Sequence, residues 1–184
     1  RSYSYVFKYP FFMISVFLAS SFLAYSSIFS VVGPFFIQDA MGFSAVIYGY
    51  IALLTGVCWF IGNIVSRYFE HIVWKKKLSI TLPFIIFVNV VFVLLSVLPI
   101  TLLHLMVPMC IIMFSAGFAY PILLSETLAW FNDYAASANG VLFALIWSFY
   151  SVFSFIGAKI YSYSVLPVAC VYLCFAVISY LWFL

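Results

Sequence analysis

Charge is almost missing from this chain: seven Lys or Arg and four Asp or Glu are all it carries over 184 residues. Soluble domains average roughly 25% charged residues, against 6% here, with 68% of side chains hydrophobic. A water-facing surface cannot be built from such material. Lipid accepts it, because apolar side chains can then face outward and only the backbone polar groups must be satisfied internally. A helical crossing takes about 20 apolar residues. Six such stretches fit the sequence, at about 9–37, 45–66, 78–98, 101–124, 137–159 and 165–184. The expected fold is an all-α membrane protein, a single six-helix bundle over 1–184, with no length left for a separate catalytic domain.

The remaining charges predict an orientation. If the first residue lies inside, Arg1, Lys8, Arg67, Lys75, Lys76 and Lys77 share one side, and only Lys159 lies on the other. That asymmetry places both termini in the cytoplasm. The Lys75–Lys77 run therefore reads as a topological anchor rather than a lipid-recognition or nucleic-acid patch, and no nucleic-acid partner is expected. The four cysteines, Cys58, Cys110, Cys170 and Cys174, sit inside apolar runs with no His or carboxylate beside them. They read as small packing residues, and no metal or cofactor is expected. The chain opens on Arg1 without an initiator Met or a signal-peptide pattern, which suggests a piece of something longer.

Residue spacing marks candidate surfaces. Ser15, Ala19, Phe22, Ser26, Ser30 and Gly33 share one face of the first helix, and a serine stripe in lipid must face other helices or water. The matching stripe on the fourth helix is His104, Pro108, Ile111, Ser115 and Phe118. Trp147 and Tyr150 on the fifth helix could hold an apolar or cationic guest. Substrate-cavity candidates are thus Ser26, Ser30, Gln38, Ser115, Phe118, Trp147 and Tyr150. Pro34 should bend or unravel the outer end of the first helix, with Gln38 satisfying the freed backbone groups, and Ser44 should cap the second helix. Gly49, Gly56 and Gly62 on the second helix, and Gly140, Ala144 and Ser148 on the fifth, have spacings that favour close helix contact. Asn89, the one amide deep in the third helix, suggests an interhelical hydrogen bond.

The order of these features resembles a known family. Pro34-Phe35, Gln38, Gly42, Ser44 and Tyr48-Gly49 are similar to the pattern that opens the second half of major facilitator superfamily transporters of the Bcr/CflA drug-efflux branch. Gly62, Ser66 and Arg67, followed by the three lysines, resemble a degraded copy of that superfamily's cytoplasmic loop signature. The signature carries an acid where Ser66 stands, so the charge-relay role tied to that acid is not implied here. Gly117 to Pro121, and then Ala135 to Gly140, resemble its tenth helix and the start of its eleventh. The resemblance spans about residues 25 to 145. It implies the C-terminal half of a major facilitator fold, built as a three-plus-three inverted repeat. Gating or packing roles would then fall to Gly33, Pro34, Gly56, Gly62, Arg67, Pro121 and Gly140.

On that resemblance the chain is part of a secondary active transporter in a bacterial inner membrane, exporting small amphiphilic compounds against protons. Its partners would be the small-molecule substrate, protons, the bilayer and a missing N-terminal six-helix half. No carboxylate lies mid-membrane: Asp39 and Glu126 sit near helix ends, which assigns the proton site to the missing half. A half-size homodimeric transporter or a non-transporting membrane scaffold is the alternative. An intramembrane enzyme needs a nucleophile–base pair, paired acids or a metal cluster. The sequence offers no Gly-x-Ser-x-Gly, no His-Glu-x-x-His and no close carboxylate pair within the apolar stretches, so no enzymatic activity is expected.

Overall fold

A computed structural model of the chain describes residues 9–99, 101–131, 135–160 and 164–184. Arg1 and Lys8 of the charge count, Asn132 and Asp133 in the polar connection expected between the stretches 101–124 and 137–159, and residues 161–163 lie outside them. The described residues form six helices: α1 (Pro10–Phe35), α2 (Ala45–Tyr68), α3 (Trp74–Ser96), α4 (Leu102–Ala129), α5 (Ala135–Ile160) and α6 (Leu166–Phe183). All six are long and apolar enough to cross a membrane, and no strand occurs among the described residues. The chain is an integral membrane protein.

Several boundaries differ from the sequence reading, each for a local reason. The α3 helix starts at Trp74, so Lys75–Lys77 belong to its first turn rather than to a loop. Lysine is a good helix former, and the amides of Lys76 and Lys77 both bond the Val73 carbonyl, at 3.0 and 3.2 Å. The α4 helix runs on to Ala129 and takes Ser125 and Glu126 into its last turns, which shortens the expected polar connection. At the far end of α1, Pro34 has no amide hydrogen to continue the ladder. The chain widens there into a π turn, Phe36–Ala40, and then reverses at Gly42, whose φ is +72°. The carbonyls that end this turn are taken by backbone amides rather than by the Gln38 side chain. The amides of Met41, Gly42 and Phe43 bond the carbonyls of Phe36, Gln38 and Ile37 at 3.0, 3.1 and 2.9 Å. Ser44 then caps α2 by accepting from the Ile47 amide at 3.4 Å.

Burial sorts the helices into three layers. The α1 and α4 helices are the centre, with 67% and 56% of their spans buried, whereas α2 and α5 reach only 17% and 22%. The α2 helix lies against α4, and α5 against α1, so these two flank the central pair on one side. The α3 helix packs on α4 and α6, and α6 on α1, which closes the other side. Exchanging α1–α2–α3 with α4–α5–α6 carries these principal neighbours onto one another.

Two glycines set the α2–α4 distance. A methyl group added at Gly62 would run into the Phe114 carbonyl, and one added at Gly117 into the Trp59 carbonyl. Backbone therefore meets backbone there, the close approach that small residues allow in lipid. On α1 and α5 the contact is made by Gly157, whose added Cβ would sit 3.3 Å from the Ile28 Cα. Gly49, by contrast, has open space on its Cβ side. The amide nitrogen of Asn89 bonds the Ile85 carbonyl of its own helix at 2.8 Å, and its side chain also reaches the Tyr25 side chain across on α1, as the sequence suggested. Interhelical bonding at that seam also comes from Tyr172, whose hydroxyl donates to the Tyr25 carbonyl at 2.7 Å.

Gly62→Ala and Gly117→Ala should each destabilise the bundle by about 1–3 kcal/mol, the range for overpacking. Gly49→Ala should be neutral or gain up to about 1 kcal/mol from helix propensity. Denaturant titration of the purified protein in detergent, followed by circular dichroism, checks both.

Candidate functional site

A groove of ≈ 390 Å³ opens on the side flanked by α2 and α5, with α1 and α4 as its floor. Leu23, Ser26, Phe29 and Ser30 come from α1 and Tyr48, Ala52, Thr55, Gly56 and Trp59 from α2. Met113 and Tyr120 come from α4, and Trp147 and Tyr150 from α5. None of these side chains is charged, so the groove offers ring faces and hydroxyls to a guest. Its aromatic groups are paired: Trp59 with Tyr120 at 5.5 Å, Trp147 with Tyr150 at 5.2 Å and Phe29 with Tyr48 at 6.5 Å between ring centroids.

The sequence candidates divide. Ser26, Ser30, Trp147 and Tyr150 meet in this groove, joined by Gly56. Gln38 lies apart in the π turn at the far end of α1. Ser115 is buried and its hydroxyl donates to the Ile111 carbonyl of its own helix at 2.8 Å. Phe118 packs edge-on against Phe69 at the end of α2, 6.0 Å between centroids. The expected α4 stripe is thus on the wrong side. At 3.6 residues per turn, Ser115 is rotated by about 200° from Met113, which does face the groove. Of the α1 stripe, Ser26 and Ser30 line the groove, whereas Ser15, Ala19 and Phe22 are packed inside the bundle.

The α2 wall is not among the sequence candidates, because the glycines of that helix point to packing rather than to lining. Tyr48, Ala52, Thr55 and Trp59 nevertheless recur at helical spacing and would have marked a face. Tyr48 and Tyr120 fall within the family-like motifs, where nothing in the sequence marks them as lining.

The packing residues divide as well. Gly33 lies against Tyr48 and Phe29, at 3.2 and 3.3 Å from an added Cβ, and Pro34 follows it into the π turn. Arg67 and Pro121 line a separate polar cleft of ≈ 260 Å³, together with Asn63, Ser66, Glu70, Lys77 and Glu126. There the Lys77 ammonium donates to the Ser66 carbonyl at 3.4 Å, and the carboxylates in the cleft come from Glu70 and Glu126. Nothing among the described residues lies within 4 Å of a Cβ added at Gly140, and Ala144 and Ser148 beside it are exposed.

One hydroxyl pair ties the α5 wall to the floor. Ser27 Oγ is 2.9 Å from the Tyr150 carbonyl and 2.6 Å from Ser154 Oγ. A carbonyl can only accept, so Ser27 donates to Tyr150 and its one proton is spent; Ser154 must then donate to Ser27. The cysteines are unpaired, and among the described residues no three His, Cys, Asp or Glu side chains gather as a metal site.

The fold and the groove define an integral membrane protein of six crossing helices with an uncharged aromatic groove on one side. Comparison with protein-family models, with curated proteins and with solved structures returns no match for this chain.

Ser27→Ala should cost about 0.6 kcal/mol and at most about 1.7, the span measured for interhelical hydrogen bonds in membranes. Ser30→Ala should cost close to nothing, because its hydroxyl only folds back onto the Ser26 carbonyl at 2.8 Å. Unfolding midpoints of the two variants in the same detergent give the comparison.

Proposed function

We propose that this chain is the C-terminal six-helix half of a major facilitator transporter, and that its groove is one wall of the substrate path. The observation that carries the reading is the groove itself, uncharged and lined by Tyr48, Trp59, Tyr120, Trp147 and Tyr150. Aromatic faces of this kind attract amphiphilic and cationic molecules. The groove opens between the two least buried helices. Both carry small residues that no helix of this chain covers, Gly49 on α2 and Gly140, Ala144 and Ser148 on α5. Small-residue faces in lipid are where helices of another bundle approach closely. An N-terminal half seated there would close the groove into a cavity between two bundles. Rocking of one bundle against the other would expose that cavity to each side in turn. The exchange of principal neighbours between α1–α3 and α4–α6 agrees with an inverted repeat.

Arg67 and Lys75–Lys77 lie at one end of the bundle, and Lys159 closes α5 at the other. The positive-inside rule then assigns the basic end, and with it both termini, to the cytoplasm, in a bacterial inner membrane. Energy would come from protons moving inward while a small amphiphilic compound moves out. No carboxylate lines the groove, so the proton-carrying acid belongs to the other half.

A second copy of this chain could cover the same small-residue faces, which makes a half-size homodimer the alternative. Single cysteines at Gly140 or Ser148, in a background lacking the four native cysteines, distinguish the two. Self-crosslinked dimers in native membranes favour the homodimer, and their absence alongside an active longer protein favours the split transporter.

Transport is tested with the full-length protein in an efflux-deficient bacterial host loaded with a lipophilic cationic dye. The intact protein should lower dye accumulation several-fold. Trp59→Ala and Tyr120→Ala should abolish that effect at equal expression, and Ser115→Ala should leave it intact. If the full-length protein changes neither accumulation nor resistance across a broad compound panel, the efflux reading is wrong.

A further inference from the structure

On the side of the bundle opposite the groove, α3 and α6 part at the basic end and leave a crevice of ≈ 510 Å³. Its walls bring together Trp74, Trp130 and Trp182 with Phe11, from four different helices or their ends. Phe11 is the hub: its ring centroid is 5.1 Å from that of Trp74 and 5.7 Å from that of Trp130. The mouth carries Lys75, whose ammonium sits 5.5 Å from the Trp74 ring centre, and Lys76 is exposed beside it. Trp in this number at the end of apolar spans marks the membrane–water interface.

The floor holds a second clue. Ser15 is 1% exposed, and its hydroxyl has no hydrogen-bond partner. Its neighbours along α1 do: Ser20 donates to Val16, Ser21 to Phe17 and Ser27 to Tyr150, at 2.6, 2.9 and 2.9 Å. A buried donor left without an acceptor costs about 1–3 kcal/mol, and Ser15 lines this crevice.

We infer that the crevice is a binding site for one anionic glycerophospholipid from the leaflet at the basic end. The phosphate sits at the level of Lys75 and Lys76, and an acyl chain follows the apolar wall of Ile14, Leu18, Leu123 and Phe183. An ester carbonyl of the lipid supplies the acceptor that Ser15 lacks. Ser15 lies five residues into α1, about 7–8 Å along the helix axis at 1.5 Å per residue. Charge complementarity fixes the class: Lys75 at the mouth and Lys76 next to it in sequence, read above as a topological anchor, here also select a headgroup with net negative charge. The crevice faces away from the groove and so meets lipid whatever covers α2 and α5. The inference therefore stands independently of the transport reading.

Tryptophan quenching tests it. In a Trp59→Phe, Trp147→Phe background the three crevice tryptophans are the only ones left. Vesicles of phosphatidylcholine are doped with a minor fraction of brominated phosphatidylglycerol or, separately, of brominated phosphatidylcholine. The anionic lipid should quench at a several-fold lower mole fraction. Lys75→Gln and Lys76→Gln should each reduce that preference roughly fivefold, the effect of one basic residue near an anionic surface. Lys159→Gln, at the other end, should leave it unchanged. Ile14→Phe fills the crevice from a half-buried position and keeps both lysines; it should abolish the preference, and Ser15→Ala should weaken it. Equal quenching by the two lipids overturns the site. So does a preference that survives both Ile14→Phe and Ser15→Ala, since lysines drawing lipid diffusely would give that result. Competition by inorganic phosphate would also overturn it, by identifying a simple anion site in place of a lipid one.

Discussion

The open side of the molecule depends on how near α2 can come to α4. In lipid there is no hydrophobic drive pulling helices together, so association rests on packing and a few hydrogen bonds. At the Gly62–Gly117 crossing, backbone lies against backbone because neither residue has a side chain to interpose. One turn further along α4, Pro121 removes the amide that would have bonded the Gly117 carbonyl. From that fixed crossing the two helices carry Trp59 and Tyr120 into ring contact, 5.5 Å between centroids. Widen the crossing by a methyl group and the two rings separate, and that wall of the groove goes with them. The α5 wall is held differently, by Gly157 against Ile28 and by the Ser154–Ser27–Tyr150 chain of hydrogen bonds. Close packing thus fixes one wall, and packing plus directional bonding the other.

This division explains what the sequence made legible. Apolar length and the scarcity of charge are averages over many residues, and they gave six helices without help from any single position. Ser44 as a cap was readable because capping is local: the residue and its amide partner are three positions apart. The start of α3 was misread because charge was used to end a span. Lys75–Lys77 can remain helical at an interface, where long side chains reach water. The groove was half legible for a geometric reason. A stripe on one helix gives a face, but which face meets a cavity depends on the rotation of each helix about its axis. That rotation is set by contacts such as Gly62–Gly117, between residues far apart in sequence. Ser115 looked like the partner of Ser26 because both are hydroxyls on apolar helices. In the fold its hydroxyl turns back to Ile111, and Met113 and Tyr120 face the groove instead.

The two sides of the bundle are built from different residue types, and the difference tracks what each can meet. The α2–α5 side mixes rings with Gly49, Gly56, Gly140, Ala144 and Ser148, residues that leave room for another backbone. The α3–α6 side carries three interfacial tryptophans and a lysine at its basic end, side chains that prefer the boundary between acyl chains and water. A bundle surrounded only by lipid has no need for the first kind of surface. One covered on all sides by protein has no need for the second. On the proposed reading, the same six helices present one side to another bundle and one to the bilayer.

Between these sides lies a polar seam that neither of them uses. Tyr172 on α6 donates to the Tyr25 carbonyl on α1, and the two rings meet edge to face at 5.0 Å. Asn89 of α3 lies beside the Tyr25 side chain, fully buried, with its amide oxygen unpartnered. Phe92, one turn on, reaches Tyr172 at 6.2 Å. Three helices from both ends of the chain are locked together there by groups that would be costly to expose to acyl chains. An apolar seam of the same shape could slide, since lipid packs against Leu as well as Leu does. The Tyr25–Tyr172 bond is directional and resists that slip between α1 and α6.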